Sequence, residues 1–511
     1  MSLEKQDMKE DLTEQISPNR QENKMVDTTA ITDTEELKER KSYFNTIGNY
    51  TCAYFIGIGG IGMSALARYF TSLGFTIGGY DLHESSVTKK LEIEGITITY
   101  SDREEDIPEI FKNKTRTLII ITPAIPESNM QLQFFRSNGF CIMKRAEALG
   151  MVTRQMRALC VAGTHGKTTT STMLAHLLYQ SDIHCNAFLG GISRNYGTNL
   201  LLQPDSNYVV VEADEYDHSF LQLKPYMSII TSVDPDHLDI YGDKQHYIDG
   251  FNQYCRQIQS DGTLILKDGI ELDVPQGLKT FRYGVKNDNN TNKKLDFFAD
   301  NIQVKNSQIY FDFHTPSDVY TEIKLGVPVW VNIENAVAAM TMAWLVGIEQ
   351  SEIRLGIASY AGVNRRFNIH INTPACVYID DYAHHPTEIK ASLESIRMLF
   401  PDRHLTVVFQ PHLYSRTRDF YKGFAQALSA ADDVILLPIY PAREKPIEGI
   451  SSDIILNDLT GTGEHLICDK EHLLATLQSK SRDIILTLGA GDIDAFVEPI
   501  VQAYKPQTYK E

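Results

Sequence analysis

The sequence lacks any long apolar run. Its apolar stretches stay well short of the roughly 18 residues that a membrane-spanning helix needs, so we expect no membrane span. Positive charge is also scarce, because 48 Lys and Arg stand against 66 Asp and Glu and leave a formal net charge of −18. Nucleic acids and anionic membranes are not attracted to an acidic surface, so neither is an expected partner. Anionic ligands must then be held locally, by loops, helix ends and metal ions.

Cysteine is sparse as well. The seven cysteines are scattered over 511 residues, form no C-x-x-C pair and come without a secretory signal. This usage is typical of a reducing compartment, so we expect a cytoplasmic protein. Residues 1–48 are rich in Glu, Asp, Lys, Gln and Thr and nearly devoid of aromatic side chains, which predicts a disordered N-terminal tail.

The most informative segment runs from Leu159 to Thr170. It consists of a short apolar strand, a glycine loop, and then a lysine and a hydroxyl at the start of a predicted helix. The backbone N–H groups of residues 163–168 are expected to hold phosphate oxygens at the positive end of this helix. Lys167 is placed to reach the terminal phosphates and Thr168 to ligate Mg²⁺. Val161 replaces the first glycine of the usual P-loop, but strand and helix lie where the motif needs them, and the segment predicts a nucleoside triphosphate site.

A second glycine loop lies nearer the N-terminus. Gly57, Gly59 and Gly62 follow an apolar strand with the spacing G-x-G-x-x-G, and the next predicted strand, 75–80, ends in Asp81. This spacing is a dinucleotide fingerprint with an acid placed to meet a ribose. It requires only a diphosphate over a helix N-terminus, so NAD, FAD and a UDP-sugar all satisfy it.

Two acidic strand ends follow the P-loop. The strand that begins at Tyr208 delivers Glu212 at its carboxyl end, and the next strand ends in residues 234–239, which include His237. Acidic and histidine side chains on one rim beside a P-loop favour a metal site over two solvated loops. Residues 263–327 then suggest short antiparallel strands, an excursion from the same domain.

A third βα unit without a P-loop begins near Ala375. Its strands are predicted at residues 376–380, 405–410, 433–438 and 483–488. Polar residues crowd two of the strand ends, at 380–386 and 410–418. His384 and His385 lack a Cys or a third His at zinc spacing, so a polar substrate rim is favoured over a zinc site.

The chain is therefore predicted to be an α/β protein of three domains. They are a Rossmann-like domain over residues 49–155, a central P-loop ATPase-type domain with a small antiparallel excursion over 156–370, and a C-terminal Rossmann-like domain over 371–511.

Together these motifs resemble those of the Mur ligases, the ATP-dependent amide-forming enzymes of peptidoglycan synthesis. Residues 57–63 are similar to the loop with which the family binds the UDP of its substrate, and residues 163–169 to its ATP loop. Residues 212–215 resemble the segment of the first metal acid, and 236–239 the loop whose histidine joins the second metal.

The C-terminal half carries the same resemblance. Residues 332–336 resemble the adenine-contacting helix, and residues 362–367 the segment that enters the last domain. Residues 380–388 and 409–419 are similar to the blocks that close over ATP and the amino acid. The match extends from about residue 50 to 500.

The resemblance implies ligation of L-alanine to the lactyl carboxylate of UDP-N-acetylmuramate through an acyl phosphate, with ATP and two Mg²⁺ ions, or Mn²⁺ in their place. The implied catalytic residues are Lys167, Glu212, His237, Arg366, His384 and Arg416. The implied ATP-binding residues are Gly163, Thr164, His165, Gly166, Lys167, Thr168, Thr169, Asn332, Asn335, Arg366 and Asp381. The implied substrate-binding residues are Gly59, Gly60, Ile61, Gly62, Asp81, Tyr382, His384 and Arg416, and the implied metal ligands are Thr168, Glu212 and His237.

Three positions depart from the family pattern. Val331 stands where many members have histidine, Leu413 where some have arginine, and Thr122 where serine is more usual.

Three other functions stay open: a nicotinamide-dependent oxidoreductase, a ligase that joins a murein tripeptide to the same nucleotide sugar, and a noncatalytic nucleotide-binding regulator. The sequence is compatible with a monomer or a homodimer.

Overall fold

Three β-sheets organise the chain in a computed structural model, which describes residues 50–235, 238–286, 294–442 and 444–505. The predicted tail and His237 lie outside these residues. Over this part of the chain, no helix combines the length and the apolar character needed to cross a membrane. The three-sheet α/β architecture confirms the predicted fold class.

The first sheet has five parallel strands in the order β3-β2-β1-β4-β5. Its elements are β1 (Cys52–Ile56), α1 (Ile61–Ser72), β2 (Thr76–Tyr80), α2 (Ser86–Ile93), β3 (Thr97–Thr99), β4 (Thr117–Ile121), α3 (Met130–Ser137), β5 (Cys141–Lys144) and α4 (Arg145–Gln155). Every residue of β1 is buried, as expected of a parallel strand covered on both faces. The strand order reverses between β1 and β4, so the glycine loop, residues 57–62, opens at the switch point where such sheets bind ligands.

The second sheet has ten strands, in the order β15-β14-β13-β12-β11-β10-β6-β9-β7-β8. Its strands are β6 (Arg157–Ala162), β7 (Asn186–Phe188), β8 (Leu200–Leu201), β9 (Tyr208–Ala213), β10 (Met227–Ile230), β11 (Thr263–Lys267), β12 (Lys279–Val285), β13 (Phe297–Lys305), β14 (Gln308–His314) and β15 (Val319–Lys324). Its helices are α5 (Lys167–Gln180), α6 (Leu238–Tyr241), α7 (Lys244–Cys255), α8 (Trp330–Val346) and α9 (Gln350–Ser359). Because β6 lies between β9 and β10, the P-loop, residues 163–168, leaves the sheet beside the ends of both.

The antiparallel excursion predicted over 263–327 is partly wrong. β11 pairs in parallel with β10, β12 with β11, and β13 with β12. For β11 the reason is that α7 lies between it and β10, and a helical crossover returns the chain in the same direction. Only β13, β14 and β15 are antiparallel. Asn306 and Ser307, with φ of 52° and 55°, form the tight two-residue turn that reverses the chain between β13 and β14.

The third sheet has six strands in the order β16-β17-β21-β18-β19-β20. Its elements are β16 (Asn368–Asn372), β17 (Val377–Asp381), α10 (Pro386–Leu399), β18 (Leu405–Phe409), α11 (Tyr414–Leu428), β19 (Asp433–Leu436), α12 (Asp453–Leu456), β20 (His465–Ile467), α13 (Leu473–Gln478), β21 (Ile484–Leu488) and α14 (Val497–Tyr504). The antiparallel strand β16 already belongs to this sheet. The predicted domain start at residue 371 therefore falls inside a strand.

Asn199, which is fully buried, joins the first two domains. Its Nδ2 donates to the carbonyl of Ile61, 2.6 Å away, and to the Ser64 hydroxyl, while its Oδ1 accepts from Arg68 at 2.8 Å. All three partners lie on α1, the helix that follows the glycine loop. The start of this helix is thus fixed to the central domain.

Candidate active site

The P-loop backbone adopts positive φ angles at two of its glycines. Gly163 and Gly166 have φ of 132° and 79°, in the region that favours glycine. A Cβ at Gly163 would lie 2.2 Å from Oγ1 of Thr231, and one at Gly166 would lie 2.7 Å from Oδ1 of Asn335. The loop therefore packs too closely against β10 and α8 for any side chain at these two positions.

Lys167 is half-buried at the start of α5 and forms an ion pair that the sequence did not predict. Its Nζ donates to the carbonyl of Gly163 at 2.7 Å and to the Glu215 carboxylate at 2.6 and 2.9 Å. The Glu215 side chain is 2% exposed. Burial raises the pKa of Glu215, although the charge of Lys167 acts to lower it. Burial acts to lower the pKa of Lys167, but the charge of Glu215 raises it above its usual value. The signal in the sequence was a second acid three residues after Glu212.

Glu212 lies beside the P-loop, one residue before the end of β9. Burial raises the pKa of its carboxylate, and the neighbouring Thr168 hydroxyl acts to lower it. Oε2 is buried and has no hydrogen-bond partner among the described residues. An unpartnered carboxylate oxygen next to a threonine hydroxyl fits the hard oxygen ligands that Mg²⁺ prefers. The predicted metal ligands Thr168 and Glu212 are thus brought together, whereas His237, the third, stays a prediction.

A glycine that the sequence analysis missed lies against this acid. A Cβ at Gly190 would stand 2.0 Å from Oε2 of Glu212, and one at the following Gly191 would stand 3.3 Å from a methyl carbon of Thr168. The loop after β7 therefore passes close to both predicted metal ligands. The Gly-Gly pair after a short strand was the available signal for this approach.

A cavity of about 230 Å³, here called the P-loop cavity, lies between the P-loop, α8 and the third domain. Seven of the predicted ATP-binding residues line it, namely His165, Gly166, Thr169, Asn332, Asn335, Arg366 and Asp381. The two asparagines form a chain, since Thr170 donates to Oδ1 of Asn335 and Nδ2 of Asn335 donates to Oδ1 of Asn332. Thr164 instead donates to the carbonyl of Asp234 at 2.7 Å, which fixes the loop.

A second cavity of about 340 Å³, here called the glycine-loop cleft, lies between the first and central domains. The predicted residues Gly60, Ile61 and Gly62 line one side of it, and Glu212 and Gly190 line the other. Arg145 and Asp214, which the sequence analysis did not single out, also line the cleft and form an ion pair of 3.2 Å. The acid that sits next to the P-loop therefore also borders this cleft.

Asp81 and Gly59 are not among the residues that line the cleft. Oδ2 of Asp81 accepts the N–H of Gly59 at 2.7 Å, so this carboxylate holds the glycine loop itself. From the G-x-G-x-x-G spacing alone, the same acid is predicted to meet a ribose.

Replacing Asp81 by Ala is expected to loosen the glycine loop. A hydrogen bond to a charged group contributes about 1.5–3 kcal/mol, so we expect the KM for a nucleotide sugar to rise roughly tenfold or more, with the KM for ATP unchanged. Steady-state kinetics would measure both constants. Glu84→Ala is the matched control, since Glu84 is an exposed acid three residues away that pairs only with Lys89 in this part of the chain. Equal KM values in the Asp81 variant and the control would contradict the role.

The third domain contributes a cationic and aromatic group. The Tyr382 ring lies 5.2 Å from the Arg366 guanidinium and 5.3 Å from the His384 ring. Burial lowers the pKa of His384, and Arg416 acts in the same direction, whereas Glu388 opposes them. The predicted amino-acid contacts Tyr382, His384 and Arg416 are thus near one another, beside the wall of the P-loop cavity that Arg366 provides.

The three departures from the family pattern occupy defined places. Val331 lines the P-loop cavity. Leu413 has φ of 70° and precedes α11, where its N–H donates to the carbonyl of Tyr440. Thr122 lines the glycine-loop cleft and directs its methyl carbon at Gly57, where a Cβ would meet it at 2.6 Å.

Comparison with known families matches each sheet separately. The family described as Mur ligase family, catalytic domain, matches residues 53–157, the Mur ligase middle domain matches residues 161–343, and the Mur ligase, glutamate ligase domain, matches residues 365–491. The glycine loop lies in the first match, the P-loop and Glu212 in the second, and Arg366 and His384 in the third.

Individual relatives agree with these matches. The chain is 52% identical to the UDP-N-acetylmuramate--L-alanine ligase of Phocaeicola vulgatus, over 88% of this chain and 96% of the relative, and 49% identical to that of Parabacteroides distasonis, over 91% and 99%. The crystal structure of the UDP-N-acetylmuramate-alanine ligase MurC of Thermotoga maritima is similar with a TM-score of 0.74 and 28% identity, over 89% of this chain and 99% of that one. A murein peptide ligase of Psychrobacter arcticus shares the fold, with a TM-score of 0.63 at 21% identity over 89% and 98%. The resemblance inferred from the motifs is confirmed, and the chain belongs to the Mur ligase family.

Proposed function

We propose that this chain joins L-alanine to the lactyl carboxylate of UDP-N-acetylmuramate at the expense of ATP, a step of peptidoglycan synthesis. The observation that carries the proposal is the position of Glu212. This acid borders the glycine-loop cleft and lies beside the Thr168 side chain, at the start of the helix that follows the P-loop. A nucleotide sugar in the cleft and a triphosphate on the P-loop would therefore meet at this carboxylate.

The first step transfers the γ-phosphoryl group. An oxygen of the lactyl carboxylate forms a bond to the γ-phosphorus, the bond from that phosphorus to the β,γ-bridging oxygen breaks, and ADP leaves. Both reactants are anions, so the site has to offset their repulsion. Lys167 and the N–H groups of the P-loop supply fixed positive charge at the phosphates. Thr168 and Glu212, with His237 as a predicted further ligand, would hold Mg²⁺, which adds positive charge between the two anions when bound.

The second step forms the amide. The nitrogen of L-alanine attacks the acyl carbon, the bond from this carbon to the phosphate oxygen breaks, and the nitrogen loses a proton as phosphate departs. The acyl phosphate also reacts with water, so water has to be excluded. Tyr382, His384 and Arg416 lie on the side where the third domain covers the P-loop cavity, and we assign them to the amino acid.

The test is phosphate release from Mg-ATP with UDP-N-acetylmuramate, with L-alanine, L-serine, glycine or the murein tripeptide added in parallel. We expect release that requires both the nucleotide sugar and L-alanine. Release only with the tripeptide would assign the chain to murein recycling instead. Nucleotide binding without release for any acceptor would make it a noncatalytic regulator, and a change in nicotinamide fluorescence on mixing would favour an oxidoreductase.

A further inference from the structure

Glu388 gathers side chains from three separate segments at the wall of the P-loop cavity. One carboxylate oxygen lies 3.9 Å from Nδ1 of His165 in the P-loop and 3.8 Å from Nη1 of Arg366 in the linker before β16. The other oxygen accepts the N–H of His384 at 3.0 Å and lies 3.3 Å from its Nδ1. All three of these partners have predicted individual roles, whereas Glu388 is only the last residue of the block 380–388.

This carboxylate is held as an anion. Burial alone would favour its neutral form, but His384, whose backbone N–H it accepts, and the Arg366 guanidinium bring the pKa of Glu388 to about 2. Glu388 is also the third residue of α10, where the partial positive charge of a helix N-terminus stabilises an anion. The cluster therefore has a fixed negative charge at its centre over the whole physiological pH range.

Glu388 is in contact with both Arg366 and His384. Nδ1 of His384 also lies 3.0 Å from the carbonyl of Tyr382. Among the described residues, Glu388 is the only acid within ion-pair distance of Arg366, and the guanidinium also lies 5.2 Å from the Tyr382 ring. The backbone N–H of His384 is bonded to Glu388 itself, four residues further on. A functional side chain keeps its geometry only when neighbouring groups restrict its rotamers.

We propose that Glu388 is a positioning residue for the ligation. It holds the Arg366 and His384 side chains in place, and it joins the third domain to the P-loop through His165. The inference rests on the proposed function, because Arg366 and His384 are assigned to ATP and the amino acid there. Glu388 acts through these groups and does not itself contact the reacting atoms.

The test compares Glu388→Gln with Glu388→Asp. Glutamine keeps the size and one acceptor but removes the charge, and aspartate keeps the charge on a shorter stem. We expect the Gln variant to lose about tenfold or more in kcat and to raise the KM for L-alanine, with the KM for UDP-N-acetylmuramate unchanged. The Asp variant should recover part of kcat. The matched control is Glu394→Gln, an exposed acid on the same helix that pairs with Lys390.

A melting temperature within about 2 °C of the unaltered chain would show that kcat fell without loss of folding. Two outcomes overturn the inference: a kcat for Glu388→Gln equal to that of the control, or equal losses in the Gln and Asp variants that follow a fall in melting temperature. If the unaltered chain itself releases no phosphate with any acceptor, the proposed function fails and the inference fails with it. If the unaltered chain is active and the Glu388→Gln variant is equally active, the inference fails and the proposed function stands.

Discussion

Lys167→Ala should reduce substrate-dependent phosphate release by about 10³-fold, the loss typical of removing a cation that stabilises charge in phosphoryl transfer. The lysine opens α5 and reaches back to the carbonyl of Gly163, so its ammonium lies at the loop that is expected to hold the phosphates. No other described cation is within bonding distance of that carbonyl. Initial rates of phosphate release at saturating Mg-ATP, nucleotide sugar and L-alanine would measure the effect.

The same substitution also removes the lysine charge beside the buried Glu215 carboxylate. Removing one member of a buried ion pair costs about 3–5 kcal/mol of stability, so lost activity could reflect lost folding. The double variant Lys167→Met with Glu215→Gln removes both charges and should restore stability without restoring activity. Lys390→Ala, on the exposed face of α10, is the control for losing a lysine. Activity in the double variant would contradict a role for Lys167 in phosphoryl transfer.

Gly190→Ala should disturb the predicted metal site by adding a single methyl group. Its Cβ would stand 2.0 Å from Oε2 of Glu212, so the carboxylate has to move away from Thr168. Displacing a predicted metal ligand is expected to lower kcat roughly 10²-fold and to raise the Mg²⁺ concentration needed for half-maximal rate about tenfold or more. A Mg²⁺ titration of the rate at saturating ATP would measure both effects.

The control for this variant is Gly284→Ala in β12. A Cβ there meets Leu295 at 3.4 Å, an ordinary van der Waals distance. We expect this control to keep the kcat and the Mg²⁺ dependence of the unaltered chain. If the Gly190 variant behaves like the control, the loop after β7 can move to accommodate the added methyl group. The position of Glu212 then does not depend on the close approach of that loop.

The sequence alone predicted the parts of the site that lie in continuous motifs. The P-loop around Lys167 and the glycine loop are each a strand, a turn and a helix, so local spacing is enough to identify them. Glu212 was found because a parallel strand brings its carboxyl end to the same rim as the P-loop. The G-x-G-x-x-G spacing fitted NAD as well as a UDP-sugar, and it took the P-loop and the later motifs to favour the ligase.

The residues that were missed act between segments distant in sequence. Glu215 acquires its role from an ion pair across 48 positions, and Gly190 from the approach of one loop to a strand 22 positions later. Glu388 collects partners from the P-loop and the linker as well as from its own segment. The predicted direction of β11 was wrong for a related reason. Its direction is set by the crossover helix and not by the residue pattern within the strand. None of these relations has a local signature.

The buried Asn199 has a consequence for inhibition. Because it fixes the start of α1 to the central domain, we expect the two walls of the glycine-loop cleft to keep their separation before any ligand arrives. A rigid compound shaped to this cleft would lose little affinity to reorganisation of its target, whereas the P-loop cavity is completed by a domain that follows a linker. The cleft is therefore the better template for a small, stiff antibacterial scaffold.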